Sequence, residues 1–287
     1  MMNQRLWLPD LTARPGLFPH PMLDVEFAQL SDVGRVRRHN EDYLGHSVPT
    51  TPTEIRSHGW LFVLADGVGG QNAGEVASRT AVESVLTGFR AAGPGEPHSA
   101  LLPRLVQSAN LSVYEAGMKA SPGGNAMATT FVACALRYDR ALIAHVGDSR
   151  CYLVRRGHAA ALTRDHTLAG EQQRMGLLSA EEAAESQRRH VLSRSLGNDM
   201  FVNVETSDHQ VFVDDILVLC SDGLHASITS SEIAITVTHT PELEASARKL
   251  VTLANQRDGS DNISIQLIRV RSVERIGMYR GRPYRLR

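Results

Sequence analysis

Three aspartates, Asp66, Asp222 and Asp261, each stand where an apolar run meets a turn. Leu61-Phe-Val-Leu64 leads into Ala65-Asp66 and then Gly67-Val-Gly-Gly70, Asp215-Ile-Leu-Val-Leu-Cys-Ser leads into Asp222-Gly223, and Asp261-Asn262 opens the alternating run Ile263, Ile265, Leu267. A carboxylate delivered at a strand end beside glycine, whose backbone turns freely and lets carbonyls come close to a ligand, presents hard oxygen donors. Mg²⁺ and Mn²⁺ take such donors. One Asp-Gly turn means little, but the device recurs. A second kind of group comes with Arg37-Arg-His-Asn-Glu41-Asp42, where a guanidinium fork suited to a phosphoryl group lies a few residues from two acids suited to a cation. Gly147-Asp148-Ser-Arg150 adds another acid at a strand end. Spacing alone does not bring these residues to one place, and a solvated charged loop is the plain alternative for the Arg37 segment.

The surrounding pattern says which elements must position them. Leu61 to Leu64 reads as a strand buried on both faces. Val25 to Leu30 alternates as a half-buried strand. Val82, Val85, Leu86 and Phe89 have helical spacing, as do Leu102, Val106, Ala109, Val113 and Ala116, with Gly93-Pro-Gly-Glu-Pro97 between them. A meander follows over 129–137, 141–146 and 151–154. The stretch 165–190 is polar and reads as largely helical, with Ser179-Ala-Glu-Glu182 as a capping box; it could form a flap or an ordinary connector. Strands are expected near 201–205 and 210–213. Thr229 to Glu232 caps a further helix, and Leu243, Ala247, Leu250 and Ala254 mark a longer one. Paired helices between groups of strands joined by short turns predict an α+β fold with antiparallel sheets.

Gross composition excludes several classes. Lys plus Arg is 30 against 31 for Asp plus Glu, which gives no sign of nucleic acid or an anionic membrane as the main partner. No apolar run approaches the roughly 18 residues of a membrane span, and the N-terminus has no signal-like apolar core, so a cytoplasmic protein is expected. Cys134, Cys151 and Cys220 lie in apolar surroundings without a C-x-x-C pair, as buried reduced thiols would. Residues 1–24, with four prolines, read as a surface extension, 25–270 as the folded domain and 271–287 as a basic tail.

Taken in order, Arg37-x-x-Asn-Glu41-Asp42, Asp66-Gly-Val-Gly-Gly70, Met127-Ala-Thr-Thr130, Gly147-Asp-Ser-Arg150, Ser221-Asp-Gly223 and Ser260-Asp-Asn262 resemble the motif series of the metal-dependent serine/threonine protein phosphatases, the PP2C or PPM family, in its bacterial form. The resemblance covers about residues 26 to 270. It implies two antiparallel β-sheets forming a central sandwich flanked by pairs of α-helices, with two Mn²⁺ or Mg²⁺ ions at one end and room for a third. By the same resemblance Asp66 bridges both ions, Gly67 gives its carbonyl to the second, and Asp222 and Asp261 complete the first. Glu41 and Asp42 hold the second through its waters, Asp148 serves the third ion, Arg37 binds phosphate, and Asn262 orients its neighbours from behind the ligands. The implied activity is hydrolysis of phosphoserine and phosphothreonine by direct attack of a metal-bridging hydroxide, without a phosphoenzyme. Phosphorylated proteins are the implied substrates, and a serine/threonine kinase the implied counterpart. Two positions depart from the pattern. Val68 stands where eukaryotic members carry a histidine, which leaves metal-bound water as the acid, and Ala128 stands where glycine is usual.

Other readings fit less well. Gly67 to Asn72 fails a dinucleotide loop at Asn72, and no G-K-[ST] follows. Cys134-x5-Arg140 has the spacing of a cysteine phosphatase but crosses an expected hairpin and lacks a glycine-rich cradle. Ser149 lacks the glycine of a nucleophile elbow. A regulatory module that keeps the sandwich without catalysis should have lost metal acids, and this chain keeps them. His39, His166 and His225 read as surface or supporting groups.

Overall fold

The computed structural model describes residues 22–68, 73–120, 127–279 and 282–285. The expected N-terminal extension up to residue 21, and the glycines Gly69 and Gly70, lie outside the described residues.

In chain order the elements are β1 (Asp24–Asp32), β2 (Asp42–Ser47), α1 (Pro52–Ser57), β3 (Trp60–Val68), α2 (Ala73–Arg90), α3 (His98–Ala120), β4 (Ala128–Thr129), β5 (Phe131–Arg137) and β6 (Arg140–Val146). Next come β7 (Arg150–Arg155), β8 (His158–Ala161), α4 (Leu168–Arg174), α5 (Ala180–Glu185), β9 (Glu205–Gln210) and β10 (Ile216–Cys220). The chain closes with α6 (Asp222–His225), α7 (Ser230–His239), α8 (Leu243–Arg257), β11 (Ile263–Ser272), β12 (Ile276–Tyr279) and β13 (Arg282–Arg285). Of the two large sheets, one runs β1-β11-β10-β7-β8 and the other β2-β3-β5-β6-β9, with β4 paired to the end of β3, while β12 and β13 pair with each other. Their neighbours are antiparallel, as the short-turn pattern predicts.

The period of two along each strand decides the layers. Trp60, Phe62 and Leu64 of β3 point between the sheets, where they meet Val132, Ile143, Leu217, Leu219, Ile268 and Val270. Leu61, Val63 and Ala65 point the other way, against α2 and α3 through Val82, Val85, Phe89, Leu102 and Val106. The second sheet does the same with α7 and α8, burying Val218, Ile265 and Leu267 against Ile233, Leu250 and Ala254. Four layers result, helices outside and two sheets within. This explains why β3 reads as a continuous apolar run, since both of its faces are covered.

Continued in register, the same alternation places polar groups at one end of the layer between the sheets. Beyond Phe62 and Leu64 the next residue on that face is Asp66, and its partner across the ladder is Asp42. On β11, inward Val270 and Ile268 give way to Gln266 and Ser264, and to Asn262 just before the strand, all buried. The inter-sheet core therefore grades from hydrocarbon to carboxylate, and the candidate site lies at its polar end.

Three local expectations change. Residues 165–190 form two short helices, α4 and α5, rather than a largely helical stretch, though the capping box at Ser179 and Glu182 is present with both of its bonds. In place of strands at 201–205 and 210–213 there is one, β9, with the polar sequence Glu-Thr-Ser-Asp-His-Gln. An edge strand pairs on one side only and needs no apolar face, while the apolar residues that suggested strands flank it: Phe201 is 81% exposed and Val211 is buried. Past residue 270, β11 continues to Ser272, and buried Glu274 accepts a hydrogen bond from Arg56 Nε at 3.0 Å.

Phe62 is fully buried between the sheets, edge-on to Phe27 and stacked with Trp60. Phe62→Ala is expected to cost about 3–5 kcal/mol in urea unfolding. A cost under about 1 kcal/mol would mean that the inter-sheet layer does not carry the fold.

Candidate active site

Asp66 is fixed through its backbone before its carboxylate does anything. Its N–H donates to Thr130 Oγ1 at 3.0 Å, and its carbonyl accepts from Thr130 N and Thr129 Oγ1, both at 2.8 Å. Thr130 Oγ1 also bonds Ser149 Oγ at 2.7 Å, which ties the Asp66 strand to the turn carrying Asp148. Gly67 is required by packing: a Cβ there would lie 2.1 Å from Gly74 O and 2.7 Å from Glu41 O. Gly223 is needed likewise, because a Cβ would fall 2.2 Å from Asn262 O. These two close approaches bring the Asp222 and Asp261 turns against each other and the Glu41 loop against β3.

Asp42 and Asp66, paired across β2 and β3, carry their side chains on one face. Asp222, at the start of α6, lines the same cleft as Asp66, close enough for the two carboxylates to influence each other. Asp148 and Glu41 line the same cleft, of about 1650 Å³, with Asp66, Gly67, Asp222, Asp261 and Arg37. Asp261 stands a little apart: its Oδ2 accepts from Arg37 Nη2 at 2.7 Å and its Oδ1 from its neighbour Asn262 N at 2.8 Å. Asn262 turns its side chain to the loop between β1 and β2. Its Oδ1 accepts from Glu41 N at 2.8 Å and its Nδ2 donates to Val33 O and His39 O, so it moors the whole Arg37 to Asp42 loop.

The electrostatics follow from crowding acids away from water. Burial pushes Asp66 well above the ordinary carboxylate range, reinforced by Asp42, Asp222, Asp148 and Asp261. Burial also pushes Asp42 and Asp148 up to about 7, and raises Asp222 and Glu41. Asp42 Oδ1 and Asp222 Oδ1 are buried without a hydrogen-bond partner. A set of repelling carboxylates with partnerless oxygens, backed by the Gly67 carbonyl, fits a hard divalent cation and offers nothing to a soft one.

Histidine chemistry lies beside the centre. The ligand-type atoms of His145, His166 and Glu205 fall within 4.8 Å of one another. Their hydrogen bonds oppose a metal there. Gly147 N donates to His166 Nδ1 at 3.1 Å, so Nε2 carries the proton that it gives to Glu205 Oε2 at 3.2 Å, and a cation at Nε2 would require an imidazolate. His225, pulled down to about 4 mainly by burial, is neutral and donates from Nε2 to Asp148 O at 3.0 Å.

Several supporting residues went unassigned in the sequence. Ser221 Oγ donates to Asp42 Oδ2 at 2.8 Å, and Arg150 clamps Asp165 with two bonds at 2.8 and 2.6 Å. Both sit inside recognised motifs, as do Thr130 and Ser149, but their partners are far along the chain. The competing nucleophiles are removed by position. Cys134 lies inside β5 between the sheets, where burial raises its thiol far above the ordinary range, and Ser149 is buried against Thr130.

Comparison with known proteins agrees with this geometry. Residues 35–263 match the family model described as Protein phosphatase 2C. The chain is 34% identical over 258 residues to the serine/threonine phosphatase stp of Listeria welshimeri, covering 88% of this chain and 96% of that one. Among solved structures, the serine/threonine phosphatase of S. agalactiae superposes with a TM-score of 0.76 at 32% identity, covering 86% of this chain and 100% of that one. The catalytic domain of the phosphatase PstP in complex with two manganese ions superposes at 0.73 with 30% identity, covering 87% and 100%. The carboxylate cleft at the polar end of the sandwich, its hard-oxygen donors and these relationships lead to one conclusion: the chain belongs to the protein phosphatase 2C family and is a divalent-metal-dependent protein serine/threonine phosphatase.

Proposed function

We propose that the chain cleaves phosphate from phosphoserine and phosphothreonine of proteins in one hydrolytic step, using two Mn²⁺ or Mg²⁺ ions and a weaker third. Asp66 would hold both ions and the Gly67 carbonyl the second; Asp222 and Asp261 would hold the first, and Glu41 and Asp42 the second through water. Asp148 would serve the third. When bound, the cations supply Lewis acidity that makes water nucleophilic near neutral pH and offsets charge on the phosphoryl oxygens. The observation that carries this reading is the pairing of Asp42 with Asp66 across one ladder, with Asp222 in reach and buried oxygens left partnerless.

The protein's own groups do the rest. Arg37 is half exposed at the cleft and offers a planar fork to phosphoryl oxygens, with Asp261 holding it in place from behind. Val68, 44% exposed in the cleft, has no proton to give, so the leaving alkoxide takes its proton from water. Ala128 is the register partner of Val68, so both departures from the family pattern fall on one rung, at the cleft wall. Thr129, Thr130 and Ser149 keep the Asp66 and Asp148 segments in step. A kinase that writes these phosphorylations and a cytoplasmic location belong to the same reading; among the described residues no helix is long and apolar enough to cross a membrane.

Asp66→Asn and Asp222→Asn should each lower turnover of p-nitrophenyl phosphate with Mn²⁺ by at least about 10²–10³-fold while circular dichroism stays unchanged; normal turnover in either would remove the assignment. Arg37→Ala should raise KM by about tenfold and change kcat less, because it deletes a phosphate clamp and leaves the attacking group alone. A loss confined to kcat would contradict that role.

Metal uptake should be linked to protons. Burial pushes Asp42 and Asp148 up to about 7 and raises Asp66 well above the ordinary carboxylate range, so below neutrality a cation must displace protons to bind. Calorimetry in two buffers of different ionisation enthalpy should show proton release and an affinity that rises from pH 6 to about 8. For the metal-free fold the sign is the reverse. A raised folded-state value stabilises the protein at low pH, and that contribution is lost as pH rises through about 7. Buffer-independent heats would contradict the linkage.

A further inference from the structure

Ser221 stands at the N-cap of α6 but uses its hydroxyl elsewhere. A serine in that place ordinarily accepts a backbone N–H from the first turn of its helix, and here that cap bond is not made. The residue is fully buried and clamped to β11 instead: Ser221 N donates to Ser264 O at 3.1 Å, and Ser264 N donates to Ser221 Oγ at 2.9 Å. With the oxygen so engaged, the hydroxyl proton goes to Asp42 Oδ2 at 2.8 Å.

The backbone of Asp42 is already set by its pairing with Asp66 across the ladder and by Asn40 Oδ1, which accepts from Asp42 N at 3.1 Å. What remains to be set is the rotation of the carboxylate. The Ser264 hydroxyl lies near the same group but bonds Ser31 Oγ at 2.7 Å. Oδ2 of Asp42 takes the Ser221 proton, whereas Oδ1 is buried and takes no hydrogen bond. The bond also crosses from one sheet to the other, because Ser221 follows β10 and Asp42 opens β2. We propose that Ser221 is a positioning residue for the second cation: by holding Oδ2 of Asp42 it leaves Oδ1 as the oxygen offered to that ion's shell, and it ties this acid to Asp222, the next residue, which serves the first ion. This rests on the two-cation reading above and adds to it the group that sets one of its acids.

The test titrates metal-free full-length protein with Mn²⁺ and reads uptake by calorimetry and by the electron paramagnetic resonance signal of the unbound ion. Ser221→Ala should weaken binding of the second ion by about tenfold or more, the usual effect of removing a group that orients a metal-binding acid, while the first ion binds within about twofold of the unaltered protein. A general loosening of the fold would weaken both ions alike. Ser221→Cys keeps nearly the same volume but offers only a weak donor, so it should show the same selective loss, and it carries the test if the alanine variant folds poorly. Hydrolysis of p-nitrophenyl phosphate, assayed in parallel, should need more Mn²⁺ for half-maximal rate in both variants, with KM for the ester unchanged. Second-ion affinity that is unaltered or tighter in both variants, or a loss shared equally by the two ions, would overturn the proposal alone. Unaltered protein that took up no second ion would overturn the two-cation reading beneath it.

Discussion

Repulsion among buried carboxylates is the constraint to which the rest of the molecule answers. Asp42, Asp66, Asp148 and Asp222 are withdrawn from water and aimed toward one another, so each raises the cost of charging the next. Left alone, such a group would shift apart, take up protons or pull in a cation. The backbone forbids the first outcome. Asp66 is held by three backbone hydrogen bonds, one given to Thr130 Oγ1 and two accepted from Thr130 N and Thr129 Oγ1, and the loop bearing Arg37, Glu41 and Asp42 is moored by three more to the Asn262 side chain.

The rigidity needed for this comes from the hydrocarbon end of the same layer. Asp66 and Asp42 occupy the next inward rung beyond Phe62, Leu64 and their partners, and the register is fixed by β3, which is buried on both faces. A one-residue slip would turn the carboxylates toward the helices and Leu61, Val63 and Ala65 inward. Core packing and the acid constellation are therefore set by one register. The facing sheet contributes Ser221, Ser264 and Asn262 by the same alternation, and Ser221 reaches across to Asp42. A cleft built on strand ends in this way is more rigid than one built on loops, while the polar segment around α4 and α5 supplies the opposite wall.

Much of this could be read from the chain because local periodicity reports burial directly. The continuous run at 61–64, the helical spacing of Val82 to Phe89 and the recurring Asp-Gly endings each reflect a physical demand of the fold. Order along the chain of six short motifs supplied the family. What stayed hidden depends on partners distant in sequence. Ser221 with Asp42 and Arg150 with Asp165 are ordinary polar residues until the fold brings them together. Edge strand β9 was missed because pairing on one side leaves no hydrophobic signature, and the apolar residues beside it pack elsewhere. As with Ser221 and Asp42, the bond from Arg37 to Asp261 joins residues far apart, here more than two hundred positions in the chain.

The gathering of these acids about cations is tested most directly by anomalous diffraction at the manganese edge from crystals grown with Mn²⁺. Two strong peaks should lie at the polar end of the sandwich, with oxygens of Asp66 and Asp222 about 2.0–2.6 Å from manganese, as hard-cation coordination requires. Peaks at His145, His166 and Glu205 instead, or no peak beside Asp66, would contradict it.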